Sequence, residues 1–231
     1  MQEKIVLDYG CGLGGNYGFL SRRGKYFGAD ILKKNISYAS ERYKNSNFIL
    51  FSGWTLPFAE HFFDEIHAYD VLEHVEDLEA VLFELDRVLK TNGDLFITVP
   101  AEISEKKLLK FKPDYFKEVG HVRIVDPKAL IGFFTAKNYR TLKIGKVRGM
   151  EALVLSLVFW LSGKKPVVAY QTGSPQFSKW LVGFIWLFDS RLFRTKLKYL
   201  FFIYWLTLFI GWLISSFFPK TIYLIMNKVR Q

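Results

Sequence analysis

The sequence predicts an α/β protein on a mostly parallel sheet, with a hydrophobic helical insertion before the last strand. Three observations predict it. Short apolar runs alternate with segments of helical periodicity from residue 3 to residue 147, the pattern of βαβ units. The first run leads into "DYGCGLGG", with four glycines in the six positions from Gly10 to Gly15, where the backbone turns sharply and side chains are excluded. Residues 150–219 break the alternation with long apolar stretches, and 199–218 (YLFFIYWLTLFIGWLISSFF) carry no charge.

The elements follow in order. Residues 3–9 (EKIVLDY) read as a strand, 15–23 as a short helix and 26–30 (YFGAD) as a second strand. Residues 31–44 are amphipathic at helical spacing, with Ile31, Ile36, Tyr38 and Ala39 among the apolar positions. A third strand is expected at 47–53, and a fourth within 63–75, ending near Asp70. Residues 78–93 form a helix that Asn92-Gly93 should stop. A fifth strand at 94–100 precedes a basic loop, then a helix at 126–138, a sixth strand at 139–147 and a last strand at 221–229.

Composition narrows the function classes. The 231 residues suffice for a sizeable core. The single cysteine, Cys11, cannot form an intrachain disulfide, and with no export signal a reducing, cytosolic setting is expected. Charge is uneven: residues 1–150 hold 22 Lys/Arg and 20 Asp/Glu, whereas 151–231 hold 10 and 2, with five of the six tryptophans. Basic residues beside aromatic, apolar runs suit an anionic membrane surface. No nucleic-acid partner is expected, because the aromatics are not interleaved with the charges.

Strand, glycine loop and helix in succession make a ligand site. Glycines let a ligand lie against the peptide backbone, and the helix start offers unpaired N–H groups. Gly10, Gly12 and Gly15 satisfy GxGxxG, so a dinucleotide is one possibility and a bare tight turn another. Asp30 ends the second strand twenty residues after Gly10. A carboxylate there can accept both hydroxyls of a ribose, or cap the helix that follows, or do both.

Here the chain resembles a known family. "VLDYGCGLGG", "GADI", "LPFAEHFFDEIHAYDVLEHVED" and "ELDRVLKTNGDLFITVP", in collinear order, are similar to the class I S-adenosylmethionine-dependent methyltransferases, in particular the methyltransferase type 11 group. The resemblance runs from about residue 3 to residue 145 and favours S-adenosylmethionine over a nicotinamide cofactor. It implies a Rossmann-like sheet of seven strands with helices on both faces. It also implies roles: Asp8, Gly10, Gly12 and Gly14 line the methionine and ribose of the cofactor, Asp30 holds the ribose hydroxyls, Gly53 and Trp54 lie beside the adenine, and Asp70 faces the methionine end. An Asp often stands in this family where Ser52 stands here, so a hydroxyl or main-chain carbonyl must read the adenine amine. The family usually places a helix before the first strand, whereas here that strand begins almost at Met1.

Methyl transfer from a sulfonium is an in-line displacement that asks the protein for alignment and exclusion of water. A base is needed only when the acceptor is itself acidic. His74, after the fourth strand, and His121, in "GHVRIVDP", are the candidates; either can also be structural. No metal is expected: there is no CxxC, and His61, His67, His74 and His121 show no ligand spacing. No GxSxG elbow supports Ser-His-Asp hydrolysis.

The sequence thus divides into a methyltransferase domain, 1–149 with 220–231, and an insertion, 150–219. Twenty helical residues span roughly 30 Å, so 199–218 are long enough to cross a bilayer. The resemblance places 139–147 and 221–229 in one sheet, which requires an even number of crossings. The available partners are short (152–162) or interrupted by Lys179, Asp189 and Arg191, each costing about 2.5 kcal/mol or more at a bilayer centre. Helices lying in the interface on the cytoplasmic side are therefore expected, with Lys164, Lys165, Arg191, Arg194, Lys196 and Lys198 against lipid headgroups. A two-helix hairpin and a dimer interface are the alternatives. The expected acceptor is a small or lipid-linked molecule. A non-catalytic adaptor that kept the fold is the rival reading.

Overall fold

A computed structural model describes residues 3–44, 46–52, 54–111, 113–147 and 221–230. The chain divides into two units, and the first, Met1–Lys146 with Thr221–Gln231, carries the architecture below. The expected insertion at 150–219 and Gly53 lie outside the described residues.

The order is β1 (Ile5–Tyr9), α1 (Tyr17–Leu20), β2 (Lys25–Asp30), α2 (Lys33–Arg42), β3 (Asn47–Leu50), β4 (Phe63–Tyr69), a 3-10 turn (Leu72–His74), α3 (Leu78–Val88), β5 (Leu89–Pro100), α4 (Glu102–Phe111), α5 (Tyr115–Val119), α6 (Pro127–Ala136), β6 (Tyr139–Val147) and β7 (Thr221–Lys228). The seven strands form one sheet in the order β3-β2-β1-β4-β5-β7-β6. Pairings among β1 to β5 are parallel, and β7 returns antiparallel beside β5.

Burial on both faces explains why β1 is a nearly continuous apolar run, while β4 (FDEIHAY) buries Glu65 and His67 beside its apolar residues. Val6, Leu7, Phe63, Ile66 and Ala68 are fully buried, as expected of central parallel strands. α3 buries Val81, Leu82, Leu85 and Val88, one helical stripe, and Asp77 caps it by accepting from the Ala80 N–H at 3.0 Å. α6 buries Leu130 and Phe134, starts with Pro127 and is capped by Asp126.

Two expectations change. The helix predicted over 78–93 ends at Val88. Its final carbonyls find partners outside the helix: Arg87 O accepts from His61 N–H and Val88 O from Phe62 N–H, both at 2.9 Å. Leu89 then opens β5 by pairing with Phe63, and Asp94 pairs with Glu65, so Lys90–Gly93 bulge out of the ladder. Asn92 takes φ 65° there. The Asn-Gly turn signal is real, but it bends a strand and does not stop a helix. Second, the segment expected to be a basic loop after residue 100 folds as α4 and α5.

Candidate functional site

The sheet order reverses between β1 and β4: β1 continues to β2 and β3 on one side, β4 to β5 on the other. In open α/β sheets the crevice at the carboxyl ends of strands beside such a switch takes the ligand. The glycine loop leaves β1 at that point.

Gly10, Gly12 and Gly14 all have positive φ, at 71°, 53° and 76°, a backbone that side chains resist. Gly10 leaves space for Val71, which follows β4, and Gly14 for Tyr43, Phe48 and Ala39. Gly12 differs, because nothing lies within 4 Å of the place where its side chain would be. Packing explains the first and third glycines, whereas the second faces open space. The loop is pinned to β2, whose Ala29 carbonyl accepts from the N–H groups of Gly10 (2.8 Å) and Cys11 (3.0 Å).

Two carboxylates hold this loop. Asp8 is buried beneath it, accepting from Asn16 Nδ2 at 3.2 Å and the Tyr26 hydroxyl at 2.9 Å. Burial pushes its pKa up to about 6, against the pull of those two hydrogen bonds. Asp30, at the end of β2, accepts from Gly12 N–H at 2.9 Å, Leu32 N–H at 2.8 Å and Asn35 Nδ2 at 3.1 Å. It therefore joins the loop to the start of α2. A carboxylate offers about four acceptor positions, so three donors leave room for one more.

Beside Asp30 lies an open cleft of about 560 Å³, lined by Ile31, Leu50, Phe51, Ser52, Thr55 and Leu56 among others. Ser52 is exposed there, and Ile31 and Leu50 are exposed apolar side chains. Trp54 is half-buried and packs against the main core.

Asp70 follows β4 at φ 49°. Its N–H donates to the Thr98 carbonyl and hydroxyl, both at 3.0 Å, and the Thr98 hydroxyl donates back to its carboxylate at 2.9 Å. A non-glycine residue in this region is strained and is held by its surroundings, a feature that clusters at working sites.

Beyond Asp70 the two candidate histidines come together. The rings of His74 and His121 stand 4.8 Å apart, edge to face. His74 donates from Nδ1 to the Gly120 carbonyl at 2.8 Å. His121 Nδ1 meets Glu105 Oε2, also at 2.8 Å, and the Tyr115 hydroxyl holds the other oxygen of Glu105 at 3.3 Å. Both imidazoles thus have Nδ1 engaged by an acceptor, which leaves the Nε2 lone pair free for chemistry. Glu73 is 2% exposed, its Oε2 has no hydrogen-bond partner, and its Oε1 lies 4.0 Å from His121 Nε2. Burial, with the nearby charges of Asp70 and Glu105 adding, pushes its pKa up to about 8. Ligand atoms of Glu73, His74 and His121 all lie within 4.8 Å of one another. Spacing along the chain does not suggest this group, because His121 arrives on a turn after α5. Glu105, its partner, stands on α4.

Known proteins resemble this chain. A family model described as a methyltransferase domain matches residues 7–97. The methyltransferase GfsG of Streptomyces halstedii is 32% identical over 100 residues, 40% of this chain and 36% of that protein. A sarcosine/dimethylglycine N-methyltransferase of Aphanothece halophytica is 30% identical over 138 residues, 52% of this chain and 49% of that one. The chain thus spans half or less of the length of these relatives. Among solved structures, a SAM-dependent methyltransferase from Archaeoglobus fulgidus superposes with TM-score 0.60 at 18% identity, covering 98% of this chain and 87% of that one. The YcgJ protein of Bacillus subtilis gives 0.58 at 19%, covering 99% and 93%. These two likenesses show the fold. The family model lies on the glycine loop and strands of the crevice, and with the relatives it supports a class I S-adenosylmethionine-dependent methyltransferase domain there.

Proposed function

We propose that this protein transfers a methyl group from S-adenosylmethionine to a small, lipophilic or lipid-linked acceptor at the cytoplasmic face of a membrane. The observation that carries the reading is Gly12: a left-handed glycine with open space beside it, its N–H held by the ribose-side carboxylate Asp30. The crevice fits the cofactor. Asp30 keeps one acceptor position for a hydroxyl, the apolar cleft beside Ser52 suits a flat base, and Asp70 stands at the far end, where the methionine portion would lie. When bound, S-adenosylmethionine supplies an electrophilic methyl on a sulfonium leaving group.

The chain's own residues do the rest. Asp8, through Asn16 and Tyr26, keeps the loop in one shape, so no reorganisation is needed on binding. Asp70 and Thr98 set the end of β4. His121, oriented by Glu105 and with Nε2 4.0 Å from Glu73 Oε1, takes the acceptor's proton when the acceptor is a hydroxyl or similar acid. His74 occupies the more exposed position at the mouth.

Support for the membrane part comes from sequence and topology. Residues 199–218 are uncharged and the last third is basic. β6 and β7 are neighbours in one sheet, so any passage through a bilayer between them must return. Among the described residues, no helix is long and apolar enough to cross a membrane.

The test uses methyl-labelled S-adenosylmethionine, the full chain purified with its lipids, and an extract of the source cells. Label in the organic phase is the expected result. Label in the aqueous phase alone would remove the lipophilic acceptor, and none in either phase would favour the adaptor. His121→Ala should lower turnover at saturating substrate by ~100-fold, within the range for general bases; unchanged turnover in this variant and in His74→Ala would reject the base.

A further inference from the structure

We propose that Glu73, His74 and His121 form a binding site for a divalent transition-metal ion. Three features support it. The ligand atoms already lie within 4.8 Å of one another, and Glu73 Oε1 stands 4.0 Å from His121 Nε2. In a tetrahedral site with bonds near 2.1 Å the ligand atoms are roughly 3.4 Å apart, so the widest separation, at most 4.8 Å, needs to close by no more than about 1.4 Å. Both histidines are already held as metal ligands are held, with Nδ1 on a backbone carbonyl in one case and on a carboxylate in the other. That outer bond fixes the tautomer and turns Nε2 toward the ion.

The third feature is Glu73. Its carboxylate is 2% exposed, and Oε2 has no hydrogen-bond partner. Buried polar atoms are nearly always paired, and one left unpaired points to a missing partner such as an ion. The Glu73 backbone is fixed by the Val122 N–H at 2.9 Å, which ties the His121 segment to the 3-10 turn carrying Glu73 and His74. Two imidazoles and one carboxylate suit zinc, iron or cobalt and disfavour magnesium, which prefers oxygen ligands. His74 is exposed, so an ion can enter from solvent.

An imidazole that holds a metal cannot also accept a proton. In the loaded protein the ion would hold the acceptor's oxygen and lower its pKa, the proton passing to solvent. The site itself does not depend on methyl transfer, and its test is separate.

The full chain is stripped with a chelator, freed of it, and titrated with Zn²⁺ by calorimetry and with Co²⁺ by visible absorption. One ion per chain is expected, with Co²⁺ bands of low-coordinate nitrogen–oxygen ligation. Glu73→Gln and His74→Ala should each weaken binding at least 10-fold, while His61→Ala, remote from the group, should leave it unchanged. His74 is exposed, so its variant keeps the test informative if Glu73→Gln does not fold; thermal unfolding checks both. No saturable binding, or binding unaffected by His74→Ala, would overturn the proposal. Metal binding without methyl transfer would leave the site standing and count against the function.

Discussion

At the level of single residues, the site is held by buried carboxylates that do two jobs. Asp8 is the clearest. It is 1% exposed and organises the loop, yet burial raises its pKa from 3.8 to about 6. A folded pKa above the unfolded value means that the associated stability is full below about pH 4 and is lost as pH rises through about 6. Asp8→Asn cannot ionise, so its stability relative to the native protein should improve by roughly 2–3 kcal/mol between pH 4 and pH 7. Urea unfolding at the two pH values reads this directly, and parallel curves would contradict it. Much of this layer was legible in the sequence: the glycines follow β1, Asp30 ends β2 and Asp70 follows β4. The donors to Asp8 were not, because Asn16 and Tyr26 are ordinary residues whose roles arise only when β1 and β2 pair. Glu73 and Glu105 were hidden for the same reason.

Among elements, strands were easier to read than helix ends. Apolar runs bounded by turn residues placed β1, β2 and β7 within a residue or two, because buried strands demand such runs, and β4 ended as expected before Asp70. The end of α3 was misplaced because the partners of its last carbonyls, His61 and Phe62, come from a distant loop. The bulge that follows makes a prediction. Asn92 sits at φ 65°, and its carbonyl accepts from Asn227 Nδ2 at 3.2 Å. Asn92→Gly should leave stability within a few tenths of a kcal/mol, whereas Asn92→Val should cost ~1–2 kcal/mol. A shift of the urea midpoint at constant slope measures it; equal effects would show that the left-handed turn is not maintained. The helices α4 and α5 escaped notice because Lys-rich, weakly periodic segments read as loop, although their Glu105, Tyr115 and Phe116 surround His121.

For the whole molecule, the sheet supplies a crevice at the β1/β4 switch, and the chain between β6 and β7 supplies an apolar, basic segment. If that segment rests in a bilayer, 1 M salt should leave the protein on the membrane and detergent should release it; release by salt alone would reduce the contact to surface charge. The crevice is the proposed cofactor site, and equilibrium binding of S-adenosylmethionine to the full chain, compared with its Gly12→Ala variant, tests it. One molecule should bind per chain. The variant should lose affinity at least 10-fold while thermal stability falls only by the ~1–2 kcal/mol cost of a side chain at positive φ, because beyond its chain neighbours nothing lies within 4 Å of the added methyl. Tight binding of NADH with none of S-adenosylmethionine, or equal affinity in both proteins, would contradict that assignment.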